Sequence, residues 1–325
     1  MQTGLILQDY KRRIQVFAAP NLDHASSRTP MSASSTRGGV AAAAIAYFFW
    51  GLFPLYWSLF AAVPTFQLLA HRVAWCAVAV WIYLLLKGDG AWWRELSPST
   101  VVRLVGSSLL ISVNWGLYIA AVNSGHVIDT SLGYFITPLA NVLFGVVLLR
   151  ERLNALQWLA VACASIGVSY LAVTLGALPW IALVLALSFG GYGLIRKLTP
   201  VDPVHGLALE STILLPPSVG YLAWCELQGQ GAFLHEPWHL DLLLAAGGVV
   251  TAVPLVLFAI GARRVPMTML GFLQYLAPIV ALVLGVVVFH EPFGRARIIA
   301  FGWIWVALAV FSVDGLRRYF RRAAL

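Results

Sequence analysis

Seven stretches of this chain, residues 39–58, 104–122, 130–149, 155–174, 175–195, 242–262 and 267–289, contain no Asp, Glu, Lys or Arg. A helix of about 20 apolar residues crosses a hydrocarbon core of roughly 30 Å and satisfies its own backbone hydrogen bonds while doing so. Two further stretches, 66–86 and 204–224, carry one strong charge each, Arg72 and Glu210. A last one, near 295–315, has a clean centre over 298–313 with Arg297 and Asp314 at its ends. The pattern predicts an all-α integral membrane protein with ten transmembrane helices. Composition agrees, with 60% of residues hydrophobic and 10% charged, against about a quarter charged in soluble domains.

The net charge of +8 reads as a topology signal. With the N-terminus inside, the segments on the inner side hold 18 of the 21 Lys and Arg residues. Outer loops hold Arg295 and Arg297, and Arg72 lies within a span. That asymmetry places both termini in the cytoplasm of a cell that carries the protein in its plasma (inner) membrane. No basic face or motif supports nucleic-acid binding. The expected partners are the lipid bilayer and a small-molecule substrate, with a homodimer left open. Residues 1–37 lack the apolar core of a signal peptide and read as a disordered cytoplasmic tail, with Met31 an alternative translation start. Cys76, Cys163 and Cys225 show no metal spacing, and no disulfide or cofactor is expected.

The stretch PLANVLFGVVLLRE (138–151) returns 140 residues later as PIVALVLGVVVFHE (278–291). Pro138, Gly145 and Glu151 coincide with Pro278, Gly285 and Glu291. The same shift, without gaps, pairs Ala46, Phe49 and Gly51 with Ala186, Phe189 and Gly191, and Val113 and Leu117 with Val253 and Leu257. An internal repeat follows, with halves at 38–176 and 177–315 and a basic tail at 316–325. Each half holds five spans, an odd number, so the second half enters the membrane from the opposite side. Inverted five-helix repeats are an architecture of secondary transporters, whose substrate site lies near the midplane beside interrupted helices. Pro54, Pro138, Pro254 and Pro278 are therefore candidate helix breaks and gates. Glu151 and Glu291 read as helix-end anchors at opposite faces.

Several segments resemble the RarD branch of the drug/metabolite transporter superfamily: AYFFWGLFPLYW (46–57), LLAHRVAW (68–75), NWGLYIAAVNSGH (114–126), SLGYFITPLANVLFG (131–145), SFGGYGLIRK (188–197), TAVPLVLF (251–258), GFLQYLAP (271–278) and FGWIWVALAVF (301–311). The resemblance covers about residues 38–315. It implies two EamA-type repeats, an efflux role, and a link to chloramphenicol sensitivity through the family name. It also implies a central pocket lined by spans one, three, four, six, eight and nine. Where that family commonly has a Lys after the first-span aromatic pair and an acid before LLxHR, this chain has Ser58 and Gln67, and Thr137 stands at an Asn position.

Intramembrane charges are functional candidates because they are costly in lipid. Arg72, with His71 beside it, and Glu210 are the coupling or vestibule candidates. Near-equivalent in inverted halves, they lie toward opposite ends of their spans, and no direct pair is expected. Polar and aromatic residues at mid-span are the pocket candidates: Tyr47, Trp50, Asn114, Trp115, Tyr118, Tyr134, Asn141, Tyr192, Gln274 and Tyr275. A buried amide in lipid must find a partner, so each faces protein or a wet cavity; interhelical hydrogen bonding is the plainer alternative. Trp92, Trp93 and Trp238 read as interfacial belt residues, and Arg196–Lys197 and Arg263–Arg264 as cations at helix C-termini. HEPWH (235–239) matches a zinc-helix spacing, but Pro237 inside the would-be turn argues against it.

No phosphate-binding GxxxxGK[ST] segment occurs, so transport would run on a gradient or by facilitation. A membrane-embedded enzyme would need acids clustered at one depth, whereas the six Glu and seven Asp lie mostly in loops. A non-transporting sensor or scaffold needs no motif and stays open.

Overall fold

The computed structural model describes residues 33–60, 63–89, 91–123, 127–176, 180–235, 237–288 and 294–323 of the chain. It separates into an N-terminal unit, Met1–Arg37, of which 33–37 are described, and a body, Gly38–Leu325. Residues 33–37 of the expected disordered tail are helical and open the first helix, while the rest of that tail, the alternative start at Met31 and Glu291 lie outside the described residues.

The helices are α1 (Ala33–Trp57), α2 (Thr65–Leu86), α3 (Pro98–Asn123), α4 (Val127–Val147), α5 (Ala155–Leu175), α6 (Trp180–Leu198), α7 (Pro203–Leu227), α8 (Trp238–Arg264), α9 (Met267–Gln274), α10 (Leu276–Val287) and α11 (Arg295–Ala323). Since α9 and α10 are two halves of one span, the ten expected spans are all present. Eight are long and apolar enough to cross a membrane. The others are α4, whose apolar stretch is the shorter Gly133–Val147, and α7, which carries Glu210. The last helix runs on to Ala323, through most of the stretch read as a basic tail.

Local chemistry sets the boundaries. Pro64, Pro237 and Pro266 stand at the N-caps of α2, α8 and α9, where a missing N–H costs nothing. Asp202 accepts from the Val204 N–H and starts α7. Asn154 and Gln157 form a reciprocal capping box on α5, and Gly176 ends that helix in the left-handed conformation. Asn154 Nδ2 also donates to Asp314 Oδ1 at 2.8 Å, tying α5 to α11.

The two prolines of the repeat behave differently. Pro278 has no N–H for the Gln274 carbonyl one turn back, and the span breaks at Tyr275 between α9 and α10. Pro138 sits inside a helix that continues unbroken, as do Pro54 in α1 and Pro254 in α8.

Neighbouring helices respect the repeat. Contacting pairs include α2 with α7, α4 with α9, and α5 with α11, each a helix with its equivalent 140 residues on. The pair α2–α8 is matched by its exchanged counterpart, α3–α7. Tyr275 Oη donates to the carbonyl of Phe135, its own equivalent position, at 3.4 Å. Small residues permit the closest crossings. A Cβ on Gly271 would stand 2.5 Å from the Pro138 carbonyl oxygen, and one on Gly167 2.8 Å from that of Ala300. Outside, Leu86, Val173 and Leu227 are 84%, 81% and 85% exposed, a surface that suits lipid and not water.

Candidate functional site

Glu210 on α7 is buried, 3% exposed, and lies against α3 and α6. Ser107 Oγ donates to its Oε1 at 2.5 Å, Tyr192 Oη reaches Oε2 at 3.4 Å, and Arg196 Nη1 stands 3.5 Å from Oε1. Arg196, 3% exposed, also donates from Nη2 to the Pro203 carbonyl at 2.8 Å. Arg196 stands in the last turn of α6, as read from the sequence, and these bonds add a tie to α7. Tyr192 and Arg196 are four residues apart, on one face of α6, and that face turns inward. Lys197, its neighbour, does serve a helix end, donating to the carbonyls of Ala262 and Val265 at the close of α8.

A narrow, part-open cavity of about 20 Å³ begins at this cluster. Its walls are mostly apolar: Val73 and Cys76 of α2, Ile111 of α3, Leu207 and Leu214 of α7, and Leu255 of α8. Tyr192 and Glu210 line one part, and Trp115 and Thr251 also line it.

Trp115 and Thr251 hold Arg72. The guanidinium lies 4.4 Å from the Trp115 ring centroid, 5.4 Å from Trp57 and 5.6 Å from Phe53, within cation–π range for each. Its Nε donates to Thr251 Oγ1 at 2.8 Å. No carboxylate among the described residues pairs with it. Tyr118 and Tyr134, with rings 5.9 Å apart, are its other polar neighbours.

The remaining candidates fall elsewhere. Tyr47 and Trp50 pack with Phe189, Tyr192 and Phe258, at centroid distances of 5.5–6.0 Å, into an aromatic core joining α1, α6 and α8. Asn114 pins α3 to α6 through the Leu185 carbonyl (2.8 Å) and Ser188 Oγ (3.0 Å). Asn141 donates to Gln274 Oε1 at 2.6 Å, closing the α4–α9 crossing beside Pro138. The cavity is thus walled by α2, α3, α6, α7 and α8. Spans one, four and nine, expected in its lining, are occupied by aromatic stacking and by this amide bridge.

His71 does not join Arg72. One residue along α2, it faces away and meets the Phe233 ring at 5.3 Å. Phe233 belongs to the α7–α8 loop, which Gln67 fastens with both ends of its amide: Nε2 donates to the Gln230 carbonyl (2.6 Å) and Oε1 accepts from the Ala232 N–H (2.9 Å). An acid at this position would accept the second bond and lack the first. In the same loop, His235 precedes α8 and pairs with Glu226 at 2.8 Å, while Pro237 caps the helix, so the HEPWH match straddles a helix start. Glu226 raises the His235 pKa by hydrogen bonding and charge. Trp92 is buried and stacks 4.4 Å from His205, whereas Trp93 and Trp238 are exposed; Trp92 is therefore a packing residue and not part of an exposed belt.

Glu151, at the end of the repeated stretch, accepts from the N–H groups of Met267 (2.7 Å) and Thr268 (3.0 Å) and from Thr268 Oγ1 (2.7 Å). A carboxylate from the first half thus caps α9 of the second. Gly145 gives it room, since a Cβ there would stand 2.7 Å from Oε2.

A helical bundle of two like halves around an apolar cavity with charge at its edges has the form of a membrane transporter. Residues 37–173 and 178–313 each match the EamA-like transporter family, and the chain belongs to that family, within the drug/metabolite transporter superfamily. An uncharacterized transporter of Pseudomonas aeruginosa is 46% identical over 88% of this chain and 97% of its own. Protein RarD of Escherichia coli is 40% identical with the same coverage. Protein RarD of Streptomyces exfoliatus is 44% identical over 84% of this chain and 87% of its own. A solved crystal structure aligns with a TM-score of 0.64 at 24% identity, over 85% of this chain and 96% of that one, and shares the fold.

Proposed function

We propose that the protein is a secondary transporter of the cell (inner) membrane that exports small metabolites or drug-like molecules by alternating access. Its halves are read as inverted repeats, with both termini cytoplasmic. The observation that carries the reading is the cavity enclosed by helices of both halves, with Trp115 and Thr251 leading to Arg72 in one part and Glu210 in the other. The swapped helix pairs around it supply two exchangeable sets of contacts, which alternating access requires. Glu210 is the carboxylate that touches the cavity and is proposed as the coupling group: protonating it would weaken its hold on Arg196 and loosen α6 from α7. One relative of this chain, 32% identical, is named a chloramphenicol-sensitive protein RarD of Pseudomonas aeruginosa, so amphenicols belong among the trial substrates.

The test is reconstitution in liposomes with amino acids, nucleosides and amphenicols, with and without a pH gradient. Flux of at least one class is expected; none for any compound would overturn the reading. The Glu210→Gln, Arg196→Gln pair leaves no lone buried charge and should retain exchange while losing its response to the gradient.

A further inference from the structure

Arg72 presents a chemical problem that its own protein does not solve. A guanidinium within a span is costly unless its charge is compensated. Here three aromatic rings cover it and Thr251 takes the Nε–H. Among the described residues, neither terminal nitrogen makes a hydrogen bond and no acid pairs with it. The contrast with Arg196, which has Glu210, is direct.

Thr251 fixes the plane of the guanidinium by its Nε edge, leaving the edge formed by the two terminal nitrogens as a parallel pair of donors. That fork matches the two oxygens of a carboxylate. The adjoining cavity is mostly apolar, walled by Val73, Ile111, Leu214 and Leu255; the Trp115 indole that stacks on Arg72 is part of its lining, and Glu210, which also lines it, is held by Arg196. One positive charge balances one negative charge; a dianionic phosphate would leave an excess charge in an apolar space. We infer that the cavity beside Arg72 binds an amphipathic monocarboxylate, its carboxylate on the terminal edge of the guanidinium and its flat or aliphatic body against Trp115 and the apolar wall. This rests on the transporter reading for its purpose, and it names the substrate class of the same site.

The test compares 3-phenylpropionate with the near-isosteric neutral 3-phenylpropanamide and with 2-phenylethylammonium, by calorimetric titration of the protein in nanodiscs. The acid should bind at least tenfold tighter than the amide, and the ammonium should not bind. Arg72→Gln should bring acid and amide to equal affinity without weakening the amide. Arg72→Lys, which keeps the charge and loses the fork, should keep part of the preference; it also serves if Arg72→Gln fails to fold. Thr251→Val should weaken the acid a few-fold, by releasing the guanidinium. Equal binding of acid and amide by the unaltered protein, no binding of the acid, or an acid preference unchanged in both Arg72 variants would overturn the inference. Acid binding without flux in liposomes would instead overturn the transporter reading and leave the site standing. Flux of neutral compounds alone, with no acid preference, would do the reverse.

Discussion

Two arginines lie inside the helical body, and their surroundings are opposite. Arg196 has a carboxylate at 3.5 Å, a backbone carbonyl at 2.8 Å and almost no exposure. Arg72 has aromatic faces, one hydroxyl and a cavity next to it. A compensated charge holds helices together. An uncompensated one holds energy that a ligand can release, because desolvation has already been met in the empty protein. On the proposed reading, the pair of arginines separates what maintains the fold from what is left open for function.

The largest expected effect follows from that separation. Arg196→Met strands Glu210 and should destabilise the protein by about 3–5 kcal/mol, whereas Arg72→Met should be close to neutral in the absence of ligand. Equilibrium unfolding in mixed micelles measures both, and equal losses would show that the two sites are alike after all. Next comes Gly206→Ala. A Cβ at that position would overlap the Arg196 guanidinium, so a loss of about 1–3 kcal/mol is expected, with no change in binding at Arg72. A smaller effect is expected away from both arginines. Glu151→Ala uncaps α9 and should cost about 1–2 kcal/mol, with faster hydrogen exchange confined to the first turn of α9; exchange that spreads to α7 would mean the cap also steadies Glu210.

The smallest effect lies at the α7–α8 loop. Glu226 raises the His235 pKa, so their ion pair is complete at low pH and is lost as pH rises through that raised value. Both side chains are 58% exposed, and solvent screening keeps the contribution slight. Glu226→Gln should lower the His235 pKa in an NMR titration while leaving the unfolding midpoint unchanged. A midpoint shift comparable to that of Glu151→Ala would place more weight on the loop than its exposure suggests.

The charge-free runs made the ten spans legible, because lipid allows few solutions to a chain so apolar and each needs a length set by bilayer thickness. The 140-residue repeat was legible for a different reason. Two halves that pack against each other keep the same small residues and prolines where helices cross. Trp115, Tyr192, Glu210 and Arg72 could be picked out as polar or aromatic residues in apolar spans. Their grouping could not, and neither could the withdrawal of Tyr47, Trp50, Asn114, Asn141, Gln274 and Tyr275 into interhelical contacts. The tie of Arg196 to Glu210 was missed because a cation near a helix end already has a sufficient explanation there. The arginine's i, i+4 spacing from Tyr192 was the available signal.

Read alone, the amino-acid order decided that this chain lives in a membrane, how many times it crosses, and that it is built twice over. Those properties depend on hydropathy and period, which are local sums along the chain. The tertiary structure decided which of two similar prolines breaks its helix, that Glu151 caps a helix from the other half, and which of two arginines has a carboxylate. The last two turn on residues roughly 14 to 180 positions apart coming within about 3–6 Å, and distance in sequence carries no record of that approach.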